Sequence, residues 1–278
     1  LAMVRDTVAF LIGEGRRVFL DAEHFFDGYR ADAAYAVEVL RTAVEAGAEV
    51  VALCDTNGGM LPVEIADVVH AVAAASGAPL GIHCHNDTGC AVANSLAAVD
   101  AGVVQVQGTL NGYGERTGNA DLLAVVANLE LKLGRQVLPT GKLAEATRIA
   151  HAVSEVTNVP PYSRQPYVGA SAFAHKAGLH ASAIKVDPDL YQHADPTTVG
   201  NDMRMLVSDM AGRASIELKG RELGYDLAGQ GDLVTRITER VKSLEAAGYT
   251  FEAADASFEL LLREEADGAR PAFFDVES

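Results

Sequence analysis

Two histidines one residue apart, His83 and His85, close a short apolar run, Leu80-Gly81-Ile82-His83-Cys84-His85. On a strand alternate side chains share a face, so both imidazoles leave the same side about 6.6–7 Å apart. Imidazoles so placed can close on one metal ion. Cys84 points the other way and reads as a small buried hydrophobe. A second group is Asn111-Gly112-Tyr113-Gly114-Glu115-Arg116-Thr117-Gly118-Asn119. Its glycines permit close backbone approach to a ligand, and the helix start that follows can hold an anion. Asn119 offers a carbonyl oxygen to a hard cation, directly or through water. A third group is Asp21 and Glu23, which share a face at the end of an apolar run, with Asp55 and Thr56 at the matching position one strand later. Each has a plainer alternative: unrelated loop histidines, an ordinary glycine-rich turn, solvated turn carboxylates, or for Asp55 a turn former or helix cap.

These residues need a scaffold, and the apolar pattern supplies one. Strands are expected at 18–20, 50–53, 80–85 and 103–106. Helices are expected at 2–14, 31–46, from Pro62 to about Gly77, at 89–101 and at 120–133. In the first helix Val4, Val8, Phe10, Leu11 and Ile12 are the expected buried face. Continuous apolar strands alternating with helices signal right-handed βαβ units around a parallel sheet. The polar residues cluster just after each strand, where such folds keep their chemistry. Four strands are half of a closed barrel, so the pattern fits either a small open sheet or the second half of a barrel. Beyond Gly141 the rhythm stops. A helix is expected over 143–157, then a break at Pro160-Pro161, a polar histidine-containing stretch over 168–209, and helices near 215–223, 233–247 and 255–265.

Composition narrows the function. The formal net charge of −16 argues against a nucleic-acid binder, which needs a basic surface. No apolar stretch approaches the ~18 residues of a membrane span. Cys54, Cys84 and Cys90 form no CxxC pair and read as reduced thiols of a cytoplasmic protein.

Gly81-Ile82-His83-Cys84-His85-Asn86-Asp87, followed by Gly114-Glu115-Arg116-Thr117-Gly118-Asn119-Ala120, resembles the paired signature of the 2-isopropylmalate, homocitrate and citramalate synthases. The runs Ser171–His180 and Tyr191–Pro196, with Val199-Gly200-Asn201, are similar to the segment after their barrel. Asp55-Thr56-Asn57-Gly58-Gly59 and Asn111-Gly112-Tyr113-Gly114 look most like the citramalate-forming members. The resemblance implies an α/β fold, the C-terminal half of a TIM (β/α)8 barrel over 1–138. A mostly helical dimerisation subdomain follows over 139–267, and a truncated regulatory domain opens at 268–278. It implies His83, His85 and Asn119 at a divalent metal (Mg²⁺, Mn²⁺ or Zn²⁺), and Glu23, His180 and Tyr191 as catalytic groups. Asp21, Asp55, Thr56 and Glu115 become the candidate substrate-binding residues.

The implied reaction condenses acetyl-CoA with a small 2-oxo acid. Pyruvate would give citramalate for isoleucine biosynthesis; 2-oxoisovalerate is the alternative acceptor. His180 and Tyr191 would reach a partner subunit's site in a homodimer. The family's Arg-Asp-Gly first strand does not occur in this sequence, so the chain taken alone is expected to be inactive and to expose apolar strand edges. A non-catalytic homologue or dimerisation module is the reading from another class, and an aldolase or lyase of the same barrel type is the other enzyme reading.

Overall fold

The apolar runs become four strands, β1 (Phe19–Ala22), β2 (Val50–Asp55), β3 (Leu80–Cys84) and β4 (Gln105–Gln107). All are parallel and lie in sequence order, so each connection is a helical crossover. The structure is a computed structural model describing residues 1–252 and 254–268. The segment 269–278, assigned above to a further domain, lies outside the described residues. The chain divides into two units between Pro161 and Tyr162.

In the first unit α1 (Ala2–Gly13) precedes β1. The crossovers are α2 (Phe25–Ala31) with α3 (Ala33–Glu45), then α4 (Pro62–Ser76) and α5 (Ala91–Asp100). After β4 come α6 (Leu122–Leu131) and α7 (Ala146–Thr157). Local chemistry sets several of these starts. Asp32 accepts the Tyr35 N–H at the head of α3, and Asp121 accepts the Leu123 N–H at the head of α6. Pro62 opens α4, where its missing N–H has no partner to lose, and the Glu64 carboxylate accepts the Leu61 N–H.

Val51, Leu53, Leu80, Ile82 and Cys84 face the helices and join Leu40, Ile65, Val69 and Val72 in one buried core. The opposite sheet face carries Asp21, Ala52, Cys54, Gly81, His83, Gln105 and Gln107, aligned by the parallel register. The expected face of α1 needs correction. Val8 is buried and Val4 and Leu11 pack partly, but Phe10 is 65% exposed. A 3.6-residue period aligns positions 4, 8 and 11 and turns position 10 outward.

The second unit is mainly helical: α8 (Gly178–Val186), α9 (Arg213–Glu222), α10 (Gly231–Ala246) and α11 (Asp255–Asp267). A two-residue strand pair, β5 (Ala174–His175) with β6 (Arg204–Met205), joins them. Its own core is built from Ile216, Val234, Ile237, Val241, Phe258 and Leu262, among others. Among the described residues no helix is long and apolar enough to cross a membrane.

Candidate metal and substrate site

The loops at the C-terminal ends of β2, β3 and β4 converge through backbone hydrogen bonds. His85 N–H donates to the Asp55 carbonyl, Asn86 N–H to Gly118, and Ala120 N–H to Cys84. Two glycines permit this crowding. A Cβ on Gly118 would lie 2.0 Å from the Gly112 carbonyl oxygen, and one on Gly114 would lie 1.8 Å from the Asn119 side-chain oxygen.

His83 and His85 come together as their spacing predicts, with ring centroids 5.2 Å apart and both side chains half-buried. Asn119, 8% exposed, places Nδ2 2.9 Å from His83 Nε2. On the other side of the ring, Nδ1 lies 3.1 Å from Gln107 Oε1, and Gln107 Nε2 donates to Asp21 Oδ1 at 2.7 Å. An amide oxygen only accepts, so His83 Nδ1 carries the proton and Nε2 keeps a lone pair facing Asn119. That tautomer is the one a ligating Nε2 needs, and a cation there requires the Asn119 amide, whose N–H now occupies the lone pair, to turn its oxygen inward.

His85 is wired the other way. Arg116 Nη2 lies 3.1 Å from its Nδ1, and a guanidinium has only hydrogens to give, so the single lone pair of the neutral ring is taken. A cation at His85 therefore requires Arg116 to turn from the ring. Burial first, then the charges of His83 and Arg116, lower the His85 pKa and keep the ring neutral, as a ligand must be. Arg116 also pairs with Asp87 (2.8 Å) and donates to the Thr56 carbonyl (2.7 Å), tying together the loops after β2, β3 and β4.

Two imidazoles and an amide that presents its oxygen on a half-turn make a donor set suited to a divalent cation. Among the described residues no group of three or more His, Cys, Asp or Glu side chains is placed to hold one. The two-histidine, one-amide set is what this unit offers.

The other candidates take varied places. Asp55 is buried, and its carboxylate accepts the N–H groups of Gly59 (3.1 Å) and Met60 (3.2 Å), shaping the loop before α4. Burial raises its pKa despite those bonds. Thr56 Oγ1 accepts the His24 N–H at 2.8 Å, which leaves its own hydroxyl hydrogen available to a ligand. Glu23 is exposed just past β1. Glu115 is exposed in the glycine-rich loop, its backbone carbonyl accepting from Gly118. The Cys54 thiol, on the site face, is pushed up to about 12 by burial and by Asp21 and Glu23.

His180 and Tyr191 belong to the second unit, where their rings stack with centroids 4.0 Å apart. His175 lies edge-on to His180 at 6.0 Å, and its buried Nε2 has no hydrogen-bond partner. Burial and the neighbouring His180 lower the His175 pKa.

A family model described as HMGL-like matches residues 3–153, and one described as homocitrate synthase post-HMGL domain-like matches residues 167–248. The chain belongs to the HMGL-like family. Its first unit is accordingly the latter half of a TIM barrel, followed by a mostly helical unit. The chain is 70% identical to (R)-citramalate synthase of Streptomyces coelicolor, over 100% of this chain and 52% of the relative. It is 48% identical to the Synechocystis (R)-citramalate synthase over 98% and 51%. Against the 2-isopropylmalate synthase of Methanocaldococcus jannaschii it is 36% identical over 87% and 46%. This HMGL-like chain thus spans about half the length of the curated relatives it matches.

Sequence reasoning passed over Gln107 and gave Arg116 no role. Gln107 lies one residue past the expected strand 103–106, and its pairing in register with His83 is visible only in the fold. Arg116 had no signal beyond its motif, because its reach depends on a backbone turned to φ 57°.

Proposed function

We propose that this chain serves an acetyl-CoA-dependent acyltransferase that condenses acetyl-CoA with pyruvate to give citramalate and CoA, within a barrel completed to eight strands. The observation that carries the reading is the meeting of His83, His85 and Asn119 at the strand ends of a chain 70% identical, end to end, to an (R)-citramalate synthase. A divalent cation held there supplies Lewis-acid polarisation of the 2-oxo acid carbonyl. The residues do the rest. Glu23, His180 or Tyr191 takes a proton from the acetyl methyl group. A carbon–carbon bond then forms to the keto carbon, whose oxygen gains a proton. Water cleaves the thioester, releasing CoA as the thiol. The free hydroxyl hydrogen of Thr56 suits a substrate carboxylate, while Asp21 and Glu115 border the same loops. His180 and Tyr191 would serve a partner's site in a homodimer, and isoleucine biosynthesis in the cytoplasm is the setting.

The acceptor 2-oxoisovalerate is the second reading; the 36% identity to a 2-isopropylmalate synthase, against 70%, favours pyruvate. The test is thiol release from acetyl-CoA by the protein with a complete barrel, with each 2-oxo acid in turn. The expected result is pyruvate-dependent release that stops on chelation and in His83→Ala. Release that survives both treatments sinks the ligand assignment; a preference for 2-oxoisovalerate sinks the acceptor.

A further inference from the structure

We infer that Gln107 is a positioning residue that transmits the polarity of Asp21 to His83 and so fixes which imidazole nitrogen keeps a lone pair. The inference rests on the reading of His83 as a metal ligand. A carboxylate is an acceptor, so Asp21 Oδ1, 2.7 Å from the amide, demands the nitrogen end of Gln107. The oxygen end is then committed to His83 Nδ1 at 3.1 Å, and Nδ1 must hold the proton. The lone pair is left on Nε2, 2.9 Å from the Asn119 amide. Turning the Gln107 amide over would set two oxygens 2.7 Å apart against Asp21. It would also move the His83 proton to Nε2, the wrong place for a ligand.

The fold makes this chain of contacts possible. His83 and Gln107 are register partners on β3 and β4, whereas Asp21 stands on β1, beyond β2. Asp21 reaches Gln107 over the smallest residues of the face, Ala52 and Gly81, which share its level in the register. A Cβ on Gly81 would lie 2.7 Å from Gln105 Oε1 and 3.2 Å from the Ala52 Cβ, so the floor is kept low where the contact passes.

The experiment reads the tautomer directly, without metal and without turnover. Long-range ¹H–¹⁵N spectra of the ¹⁵N-histidine-labelled protein at mildly alkaline pH are expected to show His83 with Nδ1–H. In Gln107→Leu that preference should be lost, and Mn²⁺ affinity measured by electron paramagnetic resonance should fall about 10- to 100-fold. The double variant Gln107→Glu/Asp21→Asn reverses the link. Its new carboxylate accepts from both the introduced amide and His83 Nδ1–H, so tautomer and most of the affinity should return. A role in packing alone would not be rescued by that exchange. An Nε2–H tautomer in the unmutated protein overturns the inference, even if no variant folds. So does unchanged Mn²⁺ affinity in Gln107→Leu where His83→Ala abolishes binding. If His83→Ala itself binds Mn²⁺ normally, the ligand reading fails, and the inference fails with it as a statement about metal binding, whichever tautomer is seen.

Discussion

Gly118 and Gly114 lie four residues apart in one loop, and adding a methyl group to each should have opposite consequences. In Gly118→Ala the new Cβ meets backbone: it lies 2.0 Å from the Gly112 carbonyl oxygen, about 1 Å inside the closest approach real Cβ atoms make. Relieving that contact must move the carbonyl that accepts the Asn119 N–H at 3.1 Å. Overpacking costs about 1–3 kcal/mol. The left-handed φ of 91° adds about 1 kcal/mol for alanine. A weakened hydrogen bond adds about 1 kcal/mol more. The sum, about 3–5 kcal/mol, is a large part of a typical folding stability. In Gly114→Ala the obstacle is the end of a side chain, Asn119 Oδ1 at 1.8 Å, and Gly114 has no left-handed backbone to strain. Asn119 can swing away at a cost of about 1 kcal/mol, an off-rotamer side chain, but it then leaves His83 Nε2. Urea unfolding checks the first half: Gly118→Ala should lower the midpoint by about 2 M at unchanged slope, Gly114→Ala by far less. Mn²⁺ titration checks the second: Gly114→Ala should bind more weakly while staying folded. Equal destabilisation by the two variants would refute the distinction between a backbone and a side-chain obstacle.

Three further outcomes follow from charge and burial. The hydrogen bond and charge of Arg116 hold the Asp87 carboxyl below the usual range, so the pair contributes stability above the unfolded-state value and loses it as pH falls through the depressed one. Arg116→Ala should flatten that acid limb in a stability–pH series; an unchanged limb would contradict it. Lys219 is buried (3% of its side chain exposed) against Glu222 and Asp255, which are 37% and 55% exposed. Lys219→Met should therefore cost no more than about 1 kcal/mol, because water takes up both carboxylates, whereas Glu222→Gln/Asp255→Asn strands a buried ammonium and should cost about 3–5 kcal/mol. Of the three thiols, Cys54 and Cys84 are buried with raised pKa values and Cys90 is half-exposed, so a thiol reagent should label Cys90 alone in the folded protein. Fast labelling of Cys54 would count against its burial.

Strands β1 to β3 were legible because each is an apolar run bounded by polar residues, and the crossover helices α3 and α4 carry ordinary start and stop signals. β4 is displaced: Val103-Val104 looks like strand, yet the register pairs with β3 run over Gln105–Gln107 and Val104 is 70% exposed. Two helices escaped notice for a different reason. α2 is seven residues long with Gly28 inside it, and it forms because Phe25 and Phe26 bury their rings. α8, Gly-Leu-His-Ala-Ser-Ala-Ile-Lys-Val, buries only Ala181 and Ile184, too weak a period to see. Packing decides both, and packing is not local.

The site divides along the same line. His83 and His85 were legible because a period of two needs no knowledge of the rest of the fold. Nothing in that period says that the two rings differ, yet one is held by an acceptor on Nδ1 and the other by a donor. Those partners arrive from elsewhere: Gln107 from the next strand, itself oriented by Asp21 on β1, three strands away across the sheet, and Arg116 from a loop with a left-handed turn. A sequence motif can place two nitrogen bases on one face. Which nitrogen of each ring keeps its lone pair depends on how the sheet curves and how the loops close over it, and that is a property of the folded chain.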